Sequence, residues 1–199
     1  MKIYLDDETI LFLKSKLLEN PDYFEWGAGG STFLAVQSTS GHVVSVENDE
    51  VWVQEVKRKL KDRNSHLAKS ITFHEINLGE TAKWGYPKSN LTLSQIEAYS
   101  KVPWVEFLKD LKTWDGKERS ILVLIDGRFR KACLMNVLMS NIEAAVVLDD
   151  AVNRRHLMEF ADVVGGYKKV GRSLVWEKLP NVSWKLSRES IAKIAIDPR

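Results

Sequence analysis

The stretch from Ser120 to Val164 constrains the fold more than any other part of the chain. It reads "SILVLIDG", then "FRKACLMNVLMSN", then "AAVVLDD", then "AVNRRHLMEFADVV". The first and third segments are short apolar runs of strand character. The second and fourth repeat apolar residues at helical spacing. Strands that alternate with helices form a largely parallel sheet covered on both faces. Right-handed crossovers then make that sheet doubly wound.

The same alternation runs upstream. "DDETILFLKSKLLEN" predicts a helix over about 6–20 that opens on acids and closes at Asn20-Pro21. "YFEW" reads as a short strand, "STFLAVQST" as a helix, and "HVVSVEND" as a buried strand ending at Glu47 and Asn48. "DEVWVQEVKRKLKDR" is an amphipathic helix and "SITFHEI" a strand. Residues 79–118 break the rhythm with "WGYP", a helical "SQIEAYSKVPWVEFLKDLK" and the turn signal "WDGK". A connection that long implies a lid over a site or an interface. Downstream, "GYKKVGRSLVWEKL" predicts two strands joined at Gly171-Arg172, an antiparallel hairpin at the far edge, and "SWKLSRESIAKIAIDPR" carries no assignment. The expectation is one α/β domain over 1–199, doubly wound and mostly parallel, in three layers.

Composition excludes several classes. With 44% hydrophobic and 28% charged residues among 199, the chain has the make-up of a soluble globular protein. A formal charge of +2, with basic residues dispersed, is too small to argue for a nucleic-acid surface by itself. The single Cys133 rules out an internal disulfide framework and fits a reducing cytoplasm. The N-terminus places acids before its apolar residues, unlike a signal peptide. No run approaches the ~18 apolar residues of a membrane helix. A cytoplasmic protein is expected, and self-association stays open.

The decade "YFEWGAGGST" puts the carboxylate of Glu25 beside Gly27, Gly29 and Gly30, where the first strand turns into a helix. In doubly wound sheets, ligands bind outside the carboxyl ends of the strands, so this loop lies on the binding edge. Glu47 ends the second strand twenty residues after Gly27, the distance of an acid that holds the ribose hydroxyls of an adenosine. A dinucleotide fits less well. The fingerprint G-x-G-x-x-G has Thr32 in its third place here. Glu25 near a pyrophosphate would add a repulsion on the order of 3 kcal/mol at ~4–6 Å and an effective dielectric near 20. A cationic ligand reverses that sign. The plain structural alternative is a tight turn with Glu25 solvated at a strand end.

"EWGAGGST" resembles the first motif of class I S-adenosylmethionine-dependent methyltransferases, acid-x-Gly-x-Gly, and "VVSVEND" resembles their second-strand acid. The order of elements with a terminal hairpin resembles their seven-stranded sheet, and the likeness spans roughly Tyr23 to Lys178. It implies that Gly27, Ala28, Gly29, Gly30, Ser31 and Thr32 line the cofactor, that Glu25 faces its cationic methionine part, that Glu47 binds the ribose and that Asn48 sits beside the adenine.

The next two strands end in "LIDGR" and "VLDDAVNRRH", which brings Asp126, Asp149 and Asp150 to the same rim. Three converging carboxylates need protons or a cation. One candidate is Mg²⁺, held by Asp126, Asp149 and Asp150, which resembles the metal-dependent O-methyltransferases. The other is ion pairing to Arg128 or Arg130. Asp126, Asp150 and His156 are the candidate catalytic groups, with Asp126 also near the cofactor; His42, His66 and His74 are placed away from the rim or in packing. Trp84, Tyr86 and Arg128 are candidates for the substrate wall, whereas Tyr99, Trp104 and Trp114 are expected to pack the insertion.

The expected activity is transfer of a methyl group from S-adenosylmethionine to a small-molecule acceptor, at oxygen. The rivals are an NAD(P)-dependent oxidoreductase using the same cleft and a non-catalytic adenosyl-ligand-binding module.

Overall fold

A computed structural model describes residues 1–63, 71–111 and 119–180. Its strands are β1 (Asp22–Trp26), β2 (Val43–Glu47), β3 (Ile71–Glu75), β4 (Ile121–Ile125), β5 (Ala145–Leu148), β6 (Lys168–Val170) and β7 (Ser173–Trp176). Its helices are α1 (Asp7–Leu17), α2 (Gly30–Ser38), α3 (Glu50–Arg63), α4 (Leu93–Ser100), α5 (Val102–Asp110), α6 (Arg130–Met139) and α7 (Arg155–Val164).

The strands form one sheet in the order β3-β2-β1-β4-β5-β7-β6. The first five in that order are parallel, and β7 runs antiparallel between β5 and β6. The chain winds outward from β1 through β2 and β3, then returns past β1 to build β4 and β5. The order therefore reverses between β1 and β4, and the carboxyl ends of these two strands flank a crevice.

Both faces of the sheet are covered, which explains the continuous apolar runs. Ile121, Val123 and Ile125 of β4 enter one core with Phe24, Trp26 and Val146. Leu122 and Leu124 enter the opposite core with Tyr23, Val43 and Val147. This alternation is the two-residue period of a strand, apolar on both sides because helices lie on both sides.

The insertion contributes helices, and no sheet strand is assigned among its described residues. Thr92 starts α4 with a capping box: its hydroxyl accepts from Gln95 N–H at 3.3 Å, and its own N–H donates to Gln95 Oε1 at 3.0 Å. Pro103 lies in the first turn of α5, where its missing N–H costs nothing. Tyr99 and Trp104 are buried in the core, and Trp26 Nε1 donates to the Tyr99 carbonyl at 3.1 Å. Trp104 stacks on Phe107 at 5.4 Å and meets Phe24 edge-on at 5.2 Å. These aromatics pack the insertion onto the sheet, as expected for them. Trp114, the "WDGK" turn, His66 and the tail from 181 onward lie outside the described residues.

α1 is capped by Asp6, whose carboxylate accepts from Thr9 N–H at 3.0 Å. Thr9 then donates to Ser173 Oγ at 2.9 Å, tying α1 to the hairpin. At Gly171 (φ 55°) a Cβ would lie 1.9 Å from Asp6 Oδ1, so the turn admits only glycine. No described helix is long and apolar enough to cross a membrane.

Candidate active site

The glycine loop is built on Glu25 from beneath. β1 ends at Trp26, and Gly27 N–H still continues the ladder to Val46 O at 2.8 Å. At Gly27 φ is +100° and a Cβ would lie 2.8 Å from Gly127 N, so the loops after β1 and β4 touch through a position only glycine can fill. Glu25 is fully buried. Tyr23 Oη and Ser31 Oγ each donate to its Oε2 at 2.8 Å, and Ser45 Oγ donates to Oε1 at 2.8 Å. Thr32 Oγ1 also donates to Oε1 while accepting Gly29 N–H at 2.8 Å. Burial raises the carboxyl's pKa, and the four hydroxyls oppose that rise.

This corrects the expectation for Glu25 and Thr32. Neither side chain lines the cleft. Both are enclosed under the loop, Glu25 as the hub of a hydroxyl network and Thr32 as the link to Gly29. A carboxyl sealed among four hydroxyls does not present its charge to the crevice, so Glu25 does not by itself disfavour a phosphate ligand there.

Glu47 stands on the other side of the loop, at the end of β2. Its Oε2 accepts Ala28 N–H at 3.1 Å, and its Oε1 accepts Asn48 N–H at 2.7 Å and Asp49 N–H at 3.1 Å. A carboxylate offers about four acceptor positions, so these leave about one for a ligand. Burial raises its pKa to about 7 against the pull of the three N–H groups. Asn48 Nδ2 donates to Gly85 O at 2.9 Å, and Trp52 Nε1 donates to Ala28 O at 2.7 Å. The second strand, the glycine loop and the start of the insertion are thereby joined.

The three aspartates do gather on the rim, and guanidinium groups meet them. Arg130, at the start of α6, donates through Nη2 to Asp126 Oδ1 and Asp126 O, both at 2.8 Å. Its Nε reaches Gly127 O at 3.2 Å and its Nη1 reaches Asp149 O at 3.0 Å. Asp149 is fully buried and accepts from Arg172 Nη2 at 2.8 Å, from Arg172 Nε at 3.2 Å and from Ser173 Oγ at 2.9 Å. Asp150, in the left-handed region at φ 52°, pairs with Arg154, whose Nε lies at 2.9 Å. Burial, followed by the neighbouring Asp149 charge, raises the pKa of Asp126 despite Arg130.

Arg172 and Arg154 are the residues the sequence reading missed. "VNRRH" displays Arg154 beside Asp150. Arg172 arrives from the hairpin turn, and nothing local in the sequence announces it.

Trp84 and Tyr86 border the cleft on the insertion side. Trp84, at φ 64°, is largely exposed and meets Tyr4 of the N-terminal segment edge-on at 5.6 Å. Tyr86 lies under the guanidinium of Arg128 at 4.2 Å. Burial would raise the phenol's pKa, but Arg154 and Arg128 together hold it below the ordinary value. His156, expected at the rim, is half-buried in the first turn of α7 and does not line the cleft. His42 Nδ1 lies 2.9 Å from Asp22 at the opposite edge, and His74 faces Glu106 at 3.5 Å.

Together these elements enclose a cavity of about 520 Å³, lined by Gly27 to Ser31, Glu47 to Asp49, Trp84 to Tyr86 and the rim aspartates and arginines. That size is within the range of sites for cofactors and drug-sized molecules.

No protein-family model and no curated protein sequence matches the chain. Solved structures do. A methyltransferase-like protein from Silicibacter pomeroyi superposes with a TM-score of 0.79 at 22% identity, over 99% of this chain and 98% of that one. Cofactor-bound Rv0187 from MTB gives 0.54 at 16% identity, over 89% and 83%. A methyltransferase from Geobacter sulfurreducens gives 0.53 at 14% identity, over 88% and 80%. The chain has the fold of class I S-adenosylmethionine-dependent methyltransferases.

The residues of this methyltransferase fold suit the adenosyl cofactor. Gly29 lines the cavity, and a Cβ built there meets no atom within 4 Å, so the space beside it belongs to the cleft. Glu47 keeps an acceptor position at the distance in sequence that adenosine binding requires. Mg²⁺ suits the site poorly. Asp126, Asp149 and Asp150 are each engaged by an arginine, and among the described residues no three His, Cys, Asp or Glu groups are arranged to hold a metal ion. Of the two arginines expected as partners, Arg130 pairs and Arg128 does not.

Proposed function

We propose that the protein transfers the methyl group of S-adenosylmethionine to a hydroxyl of a small-molecule acceptor. The observation that carries this reading is Glu47, buried against the glycine loop beside a cavity at the point where strand order reverses. Gly27, Ala28, Gly29, Gly30 and Ser31 would hold the methionine portion, Glu47 a ribose hydroxyl, and Asn48 the adenine side. When bound, the cofactor supplies an electrophilic methyl group on its sulfonium.

The chain's own work is positioning and proton handling. Arg130 fixes Asp126 at the floor of the cleft through paired contacts, which limits loss of orientation during the reaction. Asp126 is the base that takes the acceptor's proton as oxygen is methylated; with its pKa raised to about 8, it is mainly ionised and able to do so only above that pH. Asp149 and Asp150 hold Arg172 and Arg154 in the walls of the site. Trp84 and Tyr86 cover the crevice from the insertion side and limit water.

A thermal-shift panel tests the cofactor class. S-adenosylhomocysteine at a hundredfold excess over its dissociation constant should stabilise the protein by about 2.7 kcal/mol, because it binds only the native state. NAD and NADP should do little. A larger shift with NAD than with the adenosyl ligand would replace this reading with the oxidoreductase.

A further inference from the structure

Four arginines line the cleft, and three of them have carboxylates: Arg130 with Asp126, Arg154 with Asp150 and Arg172 with Asp149. Arg128 has none among the described residues. It is 7% exposed, and its Nη1 is buried with no hydrogen-bond acceptor. A buried cation without a counter-charge is costly, and a buried donor without an acceptor adds to that cost.

The surroundings hold Arg128 in place without neutralising it. Its N–H donates to Tyr99 Oη at 3.1 Å, and its carbonyl accepts the Cys133 thiol at 3.5 Å. Its guanidinium lies over the Tyr86 ring at 4.2 Å and also meets that residue's hydroxyl, contacts that orient the plane while leaving Nη1 for another partner. Gly127 next to it cannot carry a Cβ, which would lie 2.2 Å from Tyr99 Oη. The nearby Arg130 and Arg154 add positive charge, and each is already shared with an aspartate.

We infer that Arg128 is the receptor for an acidic group on the methyl acceptor, so that the substrate is a small anion bearing a carboxylate or a phosphate. The planar guanidinium offers parallel N–H donors to such an oxyanion, and binding supplies the missing acceptor and counter-charge together. This inference rests on the proposed function for the identity of the acceptor, but anion binding can be measured without turnover.

Nuclear magnetic resonance titrations in excess S-adenosylhomocysteine, and repeated without it, would use benzoate, phenyl phosphate and neutral benzamide as probes. At least one anion should bind the wild type, at least tenfold more tightly than benzamide. Arg128→Met should weaken that anion at least tenfold, Arg128→Lys should weaken it less, and S-adenosylhomocysteine affinity should change less than twofold in both. The pair of anions separates carboxylate from phosphate recognition. The inference is overturned if neither anion binds the wild type, if benzamide binds equally well, or if both Arg128 variants keep the anion affinity. It is also overturned if the variants lose S-adenosylhomocysteine in place of the anion, which would assign Arg128 to the cofactor's carboxylate. Failure of the wild type to bind S-adenosylhomocysteine, with anions still held through Arg128, would remove the methyltransferase reading alone.

Discussion

Glu47→Gln is the most informative substitution, because the carboxylate's charge, its acceptor count and its pKa all enter the outcome. In the free protein the pKa is about 7, against 4.5 for an unperturbed glutamate. A raised carboxyl pKa means that the folded state prefers the proton. The ionised form therefore costs stability, progressively from about pH 4.5 to 7, on the order of 3 kcal/mol in full. A ribose hydroxyl donated to Glu47 favours the ionised form, so cofactor binding should expel the proton. With a ribose contact of about 1.5–3 kcal/mol, about half a proton should be released at pH 7, roughly 0.5–0.85 at pH 6 and almost none at pH 8.5. Calorimetry with S-adenosylhomocysteine in buffers of different ionisation enthalpy reads that release directly. Glu47→Gln removes a charged hydrogen bond and should weaken binding at pH 8.5 by about 1.5–3 kcal/mol, roughly ten- to a hundredfold. At pH 5.5 the loss should shrink, since the wild-type carboxyl is then protonated. Equal losses at both pH values, or proton release that persists in the variant, would refute the reasoning.

Other perturbations separate the loop's parts. Gly29→Ala should leave the melting temperature unchanged, since its Cβ meets nothing, while weakening S-adenosylhomocysteine at least tenfold by calorimetry. Thr32→Val should destabilise the fold by about 1–3 kcal/mol in denaturant titration, because Glu25 and Gly29 N–H both lose a buried partner. Exhaustive EDTA treatment should change neither the melting temperature nor S-adenosylhomocysteine binding, since arginines hold the rim aspartates; a drop in either would restore the metal.

The sheet was legible because the parallel strands are buried on both faces. "ILVLI" has no polar face to place in water, so helices had to cover it on both sides, and in "VVSVE" even Ser45 is buried. The hairpin was legible from Gly171-Arg172, whose glycine the turn requires. The site was less so, because its contacts cross the sequence. Glu25 looked like a ligand group beside glycines, but Ser45, twenty residues away on the neighbouring strand, helps close a hydroxyl cage around it. Choosing between a metal and arginines needed Arg172, which reaches Asp149 from a turn far along the chain. The aromatic insertion resolved unevenly for the same reason. Tyr99 and Trp104 follow helical spacing into the core, while Trp84 is placed by a local backbone kink that no periodicity encodes.

The central claim is that the adenosyl group lies between Gly29 and Glu47. A crystal structure with S-adenosylhomocysteine tests it most directly. Ligand density is expected in this cleft, with a ribose oxygen within hydrogen-bond distance of Glu47 Oε1 or Oε2 and the methionine portion along Gly27 to Ser31. Density elsewhere, or a bound ligand whose ribose does not approach Glu47, would contradict it.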